Sequence, residues 1–147
     1  MITNALIELF ERDLQRLKTE IDLYKDEDYL WILKEGISNS AGNLCLHLLG
    51  NLNHYIGAIL GNTDYVRYRE DEFNLKNIPR QDLLTNIENC RHVVKTILHK
   101  LTAEDLAKEF EQKVFDRPVT TEMMLMHLTT HLTYHLGQIN YHRRLLA

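Results

Sequence analysis

The sequence predicts an all-α protein, a four-helix bundle that forms one domain over residues 1–147. Two observations predict this class. Apolar residues recur at three- and four-residue steps in four separate segments of roughly 20 residues each, as they do along the buried faces of bundle helices. Almost no segment shows the strict alternation of apolar and polar residues that marks a half-buried strand. A chain of 147 residues is also long enough to bury a core without disulfides or a structural metal.

The first two predicted helices have clear apolar faces and clear ends. The apolar stripe of the first helix consists of Leu6, Phe10, Leu14, Leu17 and Ile21. The second helix should begin near Ser40, because a serine hydroxyl accepts a hydrogen bond from a free N–H at a helix start. The pair Gly61 and Asn62 is typical of a helix C-terminus, so the second helix should end there.

Two long connections follow the second and third helices. Residues 61–79 are rich in charged and aromatic residues and lack sustained periodicity, so we expect an irregular connection that covers or lines a site. The third helix should occupy residues 80–100. Residues 102–119 form a second irregular stretch, which could be either a small hairpin or a loop. The fourth helix should open at Thr120 or Thr121, both good capping residues, and continue almost to the C-terminus.

Charge and composition exclude several classes of function. The chain has 17 Lys and Arg residues against 21 Asp and Glu residues, with no dense basic stripe, so a nucleic-acid partner is not expected. Glu8, Glu11 and Arg12 interrupt the segment where a signal peptide needs an apolar run, and no apolar stretch is long enough to span a membrane. We therefore expect a cytoplasmic protein without a membrane partner. Cys45 and Cys90 are isolated in the sequence, and we expect both to be reduced and buried.

The strongest functional signal is a set of histidines on the fourth helix. At about 100° per residue, His127, His131, His135 and His142 fall within an arc of about 80° on one flank. Imidazoles four residues apart can chelate one metal ion, and neutral imidazole suits zinc, nickel, copper or iron. His47 on the second helix can complete a three-histidine set if the two helices are neighbours. Three imidazoles would leave a coordination position for water or substrate, which is typical of a catalytic metal site.

Several of the histidines admit a second interpretation. His127 could replace His135 as the partner of His131, because both pairs have the same four-residue step. A single histidine on a helix flank is more often hydrogen-bonded or half-exposed than a metal ligand. We favour this interpretation for His54, His92, His99 and His142.

Two segments also carry a family resemblance. CLHLLGNLNHYIG on the second helix and HLTYHLGQI on the fourth resemble the two signature segments of the DinB-like superfamily, which includes the bacillithiol S-transferase-like YfiT proteins. The resemblance implies a four-helix bundle in which His47, His131 and His135 bind a divalent metal ion, with zinc, nickel and iron all open. It also implies a homodimer. Within the superfamily the chain looks closest to a small bacterial branch that continues with an arginine- and acid-rich stretch, here residues 67–73.

The chemistry implied by the resemblance is thiol-dependent transfer of the S-transferase type. The metal lowers the pKa of a low-molecular-weight thiol, and the thiolate attacks an electrophilic small-molecule substrate. In that hypothesis Gln138 orients a ligand histidine or a water, and Tyr134 lines the site. Arg67 and Arg69 would bind carboxylates of the thiol cosubstrate, because guanidinium groups bind carboxylates in a bidentate manner.

Two other functional classes compete with this hypothesis. A di-iron carboxylate bundle needs Glu-x-x-His motifs, and the chain contains none, since Glu88 and His92 are four residues apart. A non-catalytic dimeric module that binds a metal or a small ligand stays open, because a fold does not determine its chemistry. Residues 69–72 could likewise be a solvated loop face rather than part of a site.

Overall fold

The computed structural model describes residues 1–147 and is built from four long helices, with no β-sheet. The long helices are α1 (Ile2–Leu23), α2 (Ala41–Leu52), which continues into a π-helix (Asn53–Leu60), α4 (Arg80–Lys100) and α6 (Thr121–Leu146). Three short elements lie in the connections: a 3₁₀-helix (Glu27–Trp31), α3 (Arg69–Asn74) and α5 (Ala103–Ala107). The predicted all-α fold is confirmed, and its third and fourth helices are α4 and α6. No helix combines the length and the apolarity needed to cross a membrane.

The four long helices form a bundle in which each helix has two close neighbours. α4 and α6 both pack against α1 and also against α2, so α1 and α2 lie on one diagonal of the bundle. One continuous core fills the centre, and the five residues of the predicted α1 stripe are all buried in it. Burying one such side chain contributes about 1.5–3 kcal/mol, so the stripe holds α1 in place. α2 and α6 are neighbours, as a metal site shared between them requires.

The helix ends lie where the capping residues predict them. Ser40 precedes α2, and its hydroxyl accepts a hydrogen bond from the N–H of Asn43 at 3.2 Å. Thr120 precedes α6 and accepts in the same way from the N–H of Met123 at 3.1 Å. Asn62 follows the end of the π-helix with a left-handed φ of 52°, a conformation that stops a helix.

The connections contain more structure than the sequence predicts. The prediction of an irregular connection over residues 61–79 is wrong in one part, because residues 69–74 form α3, whose first turn carries three acidic side chains that favour a helix N-terminus. A helix of six residues is too short to show a helical period in the sequence. Residues 102–119 contain no hairpin. They form α5 and a loop that is closed by one isolated bridge between Glu109 and Thr120.

A buried polar contact between α1 and α6 holds the helix that carries half of the histidines. Thr133 donates its hydroxyl to Asp13 at 2.7 Å, and Asp13 is almost fully buried. Burial opposes ionisation of Asp13, but hydrogen bonds from Arg12 and Thr133 outweigh burial and lower the pKa of this carboxyl. The contact therefore restrains rotation of α6 about its axis.

Cys45 and Cys90 are both free and buried, as predicted. Burial raises the pKa of both thiols, that of Cys90 to about 12. A thiol with such a pKa stays protonated near neutral pH, so neither cysteine is a nucleophile.

Candidate metal centre

Three histidines from two helices meet in one cluster. His131 and His135 lie one turn apart on α6, with ring centroids 4.6 Å apart, because residues i and i+4 share a helix face. His47 on α2 faces both of them, with centroid distances of 5.0 Å and 5.3 Å. Each histidine offers one ring nitrogen, and the three nitrogens all lie within 4.8 Å of one another. The structure thus brings together the three histidines that the sequence singles out.

The spacing and the protonation of these nitrogens fit a metal ion. Nε2 of His47 and Nε2 of His131 are 3.1 Å apart. Two nitrogen ligands of a tetrahedral ion, with bonds of about 2.0–2.1 Å, are about 3.3 Å apart. Burial, together with the neighbouring histidines, lowers the pKa of His131 to about 3, and burial also lowers the pKa of His135. Neutral imidazole is the form that binds a metal, so this donor set suits zinc, nickel or iron.

An acidic side chain from α3 orients His47. Oε1 of Glu72 lies 3.0 Å from Nδ1 of His47, and the glutamate is almost fully buried. Burial alone would raise the pKa of Glu72, but hydrogen bonds from His47 and Arg67 outweigh burial and leave this pKa below its usual value. The ionised carboxylate accepts the Nδ1–H proton of His47, which leaves the Nε2 lone pair directed at the α6 histidines.

Arg67 completes this arrangement. It donates Nε–H to Oε2 of Glu72 at 2.8 Å and Nη2–H to Oε1 at 2.9 Å, so the pair is bidentate. The sequence predicts that Arg67 binds a cosubstrate carboxylate, but a carboxylate of the protein itself already engages its guanidinium. Arg69 is exposed, and its guanidinium lies 5.7 Å from the centroid of the Phe73 ring instead of contacting a carboxylate.

Two residues of α2 make room for Glu72 and hold its helix. A Cβ atom at Gly50 would overlap the Glu72 carboxylate, so the close approach of α3 to α2 requires a glycine at this position. Asn43 donates from Nδ2 to the backbone carbonyl of Glu72 at 2.9 Å and to that of Leu75 at 2.8 Å. One side chain of α2 thus satisfies carbonyl groups at the C-terminal end of α3.

Glu72, Gly50 and Asn43 are the site residues that sequence reasoning misses. Residues 69–72 are not simply a solvated loop face, because Glu72 points inward from α3. The only signal in the sequence is the acidic run that starts this helix, with Arg67 shortly before it. Neither feature indicates that Glu72 reaches His47, which lies 25 residues away.

Gln138 holds His135 from the α6 side. Its Oε1 lies 2.7 Å from Nδ1 of His135, so it accepts the Nδ1–H proton and leaves Nε2 without one. The structure therefore places Gln138 where it can orient a ligand histidine. Tyr134 is exposed at the edge of the cluster, with its ring 5.3 Å from that of His135. His131 differs from the other two histidines, because its Nδ1 is buried without a hydrogen-bond partner.

The remaining histidines lie outside the cluster. The ring of His127 packs against Phe115 at 4.8 Å and lies 6.4 Å from the ring of His131, so His127 is not grouped with the other three. His142 is buried, and its two ring nitrogens are satisfied by other parts of the protein. The half-buried or exposed histidines are His54, His92 and His99.

Fold and site together define a class of protein, an all-α bundle with a cluster of three histidines shared by two helices. The chain belongs to the DUF1572 family of proteins of unknown function, whose model matches residues 2–147. The structure is similar to the crystal structure of a conserved protein from Enterococcus faecalis, with a TM-score of 0.78, 18% sequence identity, and coverage of 99% of this chain and 96% of that chain. At this identity the similarity shows a shared fold alone. No curated protein matches the sequence.

Proposed function

We propose that the protein is a divalent-metal-dependent enzyme of the DinB-like superfamily and that His47, His131 and His135 bind the metal ion. The observation that carries this proposal is the convergence of three ring nitrogens within 4.8 Å of one another. Two further contacts support it, because Glu72 and Gln138 each hold an Nδ1 proton and thereby leave an Nε2 lone pair free. Zinc, nickel and iron all suit a set of three imidazoles.

The residues around the site have separate tasks in this proposal. A bound ion supplies Lewis acidity, which lowers the pKa of a thiol or water that it binds. The carboxylate of Glu72 keeps the His47 ring in one tautomer and one orientation, and Gln138 does the same for His135. Burial keeps His131 neutral, with its pKa near 3. Three protein ligands leave at least one coordination position for a substrate.

We further propose that the reaction is a thiol-dependent transfer. The resemblance of residues 45–57 and 131–139 to the DinB-like signature segments supports this chemistry, and these two segments carry the histidine cluster. The sulfur of a low-molecular-weight thiol would bond to an electrophilic carbon of the second substrate. The leaving group would depart with its bonding electron pair, and the thiol proton would pass to solvent. Cys45 and Cys90 cannot supply the sulfur, because both are buried and their pKa values are raised.

Metal content tests the first part of the proposal. Elemental mass spectrometry of tag-free protein should find about one zinc, nickel or iron ion per chain in the wild type, and the ion should be lost in His47→Ala and in His131→Ala. His99→Ala is the matched control, because His99 is exposed on α4 outside the cluster, and this variant should keep the ion. A wild type that binds no metal after reconstitution near neutral pH would refute the metal centre.

A screen of thiols and electrophiles tests the second part. Metal-loaded protein should consume a low-molecular-weight thiol together with a chromogenic electrophile, and His131→Ala should abolish this turnover. Cys45→Ala should retain it, because the sulfur comes from the small molecule. Metal-loaded protein without turnover, present as a two-chain species in sedimentation, would instead support a non-catalytic dimeric module that binds metal.

A further inference from the structure

A cavity of about 540 Å³ opens beside the metal centre. It lies between the connection of residues 34–39 and the C-terminal half of α6, and both His135 and Gln138 line it. Its volume is within the usual range for small-molecule sites in proteins. A molecule bound in this cavity would therefore contact the histidine cluster directly.

The walls of the cavity are mainly apolar or aromatic. The apolar and aromatic side chains that line it are those of Ile37, Leu44, Tyr134, Tyr141 and Leu145, and Ser38, Asn39 and Gln138 add polar groups to the lining. Ile37, Tyr141 and Leu145 keep 43%, 64% and 75% of their surface exposed. A ligand in the cavity would remove part of this apolar surface from water, which favours binding of an apolar molecule.

Few charged side chains line the cavity. Lys34 and Glu35 are the only acidic or basic side chains besides histidine that line it, and their charges are opposite.

From these observations we infer that the cavity binds the apolar, uncharged body of a substrate whose reacting group is presented at His135. The inference rests on the proposed function, because it places a metal ion at the histidine cluster. A thiol cosubstrate with several charged groups matches these walls less well, because Lys34 and Glu35 offer only one partner for each sign of charge and burying an unpaired charge is costly. The cavity therefore suits the electrophile of the transfer reaction rather than a charged thiol.

A larger cavity, of about 610 Å³, has different properties. It lies between α2, residues 63–75 and α4, and none of the three histidines lines it. Its lining includes the carboxylates of Asp64, Asp71 and Glu72 and no basic side chain. The larger cavity therefore has an acidic lining without contact to the three histidines, whereas the cavity at His135 has one acidic and one basic side chain and contacts the cluster.

A series of straight-chain alkanehydroxamic acids tests the inference, because the hydroxamate head binds zinc and the alkyl chain probes the cavity. Calorimetry on the zinc-loaded protein should show the Kd falling about fourfold for each added methylene, until the chain fills the cavity. If acetohydroxamate binds but longer chains bind no more tightly, the inference is overturned while the metal centre stands.

Variants at Ile37 and at nearby Leu33 provide the matched comparison. Ile37→Glu puts a charge into the cavity wall, so it should abolish the dependence of Kd on chain length while acetohydroxamate still binds. Leu33→Glu changes an exposed residue that does not line the cavity, and this variant should keep the dependence. An identical response of the two variants would contradict the inference.

A measurement on metal-free protein separates this inference from the proposed function. Titration with 1-hexanol should shift the methyl NMR signals of Ile37, Leu44 and Leu145, because the chain packs against them without any metal. Such shifts would support ligand binding in the cavity even if the protein takes up no zinc. Failure to take up zinc would refute the metal centre but not the cavity. Unchanged signals for these methyl groups would overturn the inference.

Discussion

His135 and His142 lie two turns apart on α6, but their ring nitrogens have different surroundings. Both nitrogens of His142 have protein partners, the hydroxyl of Tyr24 at 2.7 Å and the carbonyl of Ile32 at 2.8 Å. His135 has such a partner only at Nδ1, where Gln138 lies, and its ring faces two other histidines. Position on a helix therefore does not separate a structural histidine from a candidate ligand. The separating feature is a ring nitrogen that the rest of the protein leaves unused.

Replacing each of these histidines by alanine should give the largest contrast. His135→Ala should weaken metal binding by more than about 100-fold, which exceeds the effect of losing a supporting contact. His142→Ala should leave metal affinity unchanged and lower the free energy of unfolding by about 2–4 kcal/mol, because it leaves a cavity at a buried position and removes the hydrogen bonds to Tyr24 and to the carbonyl of Ile32. Chelator competition and urea unfolding measure the two effects. The opposite pattern would show that the two roles are misassigned.

Glu72→Gln should sharpen the comparison on the α2 side of the site. The amide keeps the size of the side chain but removes the negative charge that holds His47 and Arg67. We expect metal affinity to fall about 10–100-fold. Glu70→Gln is the control, because Glu70 is exposed on the same short helix, and its affinity should match the wild type. An unchanged affinity in Glu72→Gln would mean that His47 needs no charged partner.

Two glycine variants should give smaller effects of opposite sign. Gly50→Ala drives a Cβ into the Glu72 carboxylate, so it should lower the free energy of unfolding by about 1–3 kcal/mol and weaken metal binding as Glu72→Gln does. Gly137→Ala meets no atom within 4 Å, so it should raise the free energy of unfolding by about 0.5–1 kcal/mol, as alanine does in a helix. Urea denaturation of the metal-free proteins measures both. Equal responses would show that Gly50 is not needed for the close approach of α3.

The contact between Asp13 and Thr133 that positions α6 should have a small effect on stability that depends on pH. The pKa of Asp13 is lowered in the folded protein, so ionised Asp13 stabilises the fold above its usual pKa of about 3.8, and this stability is lost as the pH falls through the lower folded value. Asp13→Asn should remove this part of the acid dependence and cost about 1 kcal/mol at neutral pH. Urea unfolding at several pH values measures it. Asp22→Asn, at an exposed position of α1, should retain the wild-type acid dependence.

The long elements of the site are predictable because each carries a local signal. Ser40 and Thr120 mark two helix starts, and the four-residue step between His131 and His135 marks one face of α6. Each signal lies within one continuous stretch of chain. A helix start or a helix face depends on the backbone and side chains of neighbouring residues, so the sequence alone is sufficient to find it.

The contact between Glu72 and His47 is not predictable in the same way. It joins residues 25 positions apart and exists only because α3 packs on α2, which no periodic pattern records. Arg67 shows the same limit. Its guanidinium indicates that a carboxylate partner exists, but not that the partner is Glu72 of the same chain rather than a bound molecule.

α3 has only six residues, and a helix of that length is not stable by itself in water. Its order comes from Asn43, which bonds its C-terminal carbonyls, and from the Glu72 carboxylate packed over Gly50. Order in α3 and orientation of His47 are therefore linked, and such linkage is reciprocal. A ligand bound at His47 will therefore slow hydrogen exchange at the amides of α3, although it does not touch them. The factor by which exchange slows equals the factor by which an ordered α3 increases the affinity for that ligand.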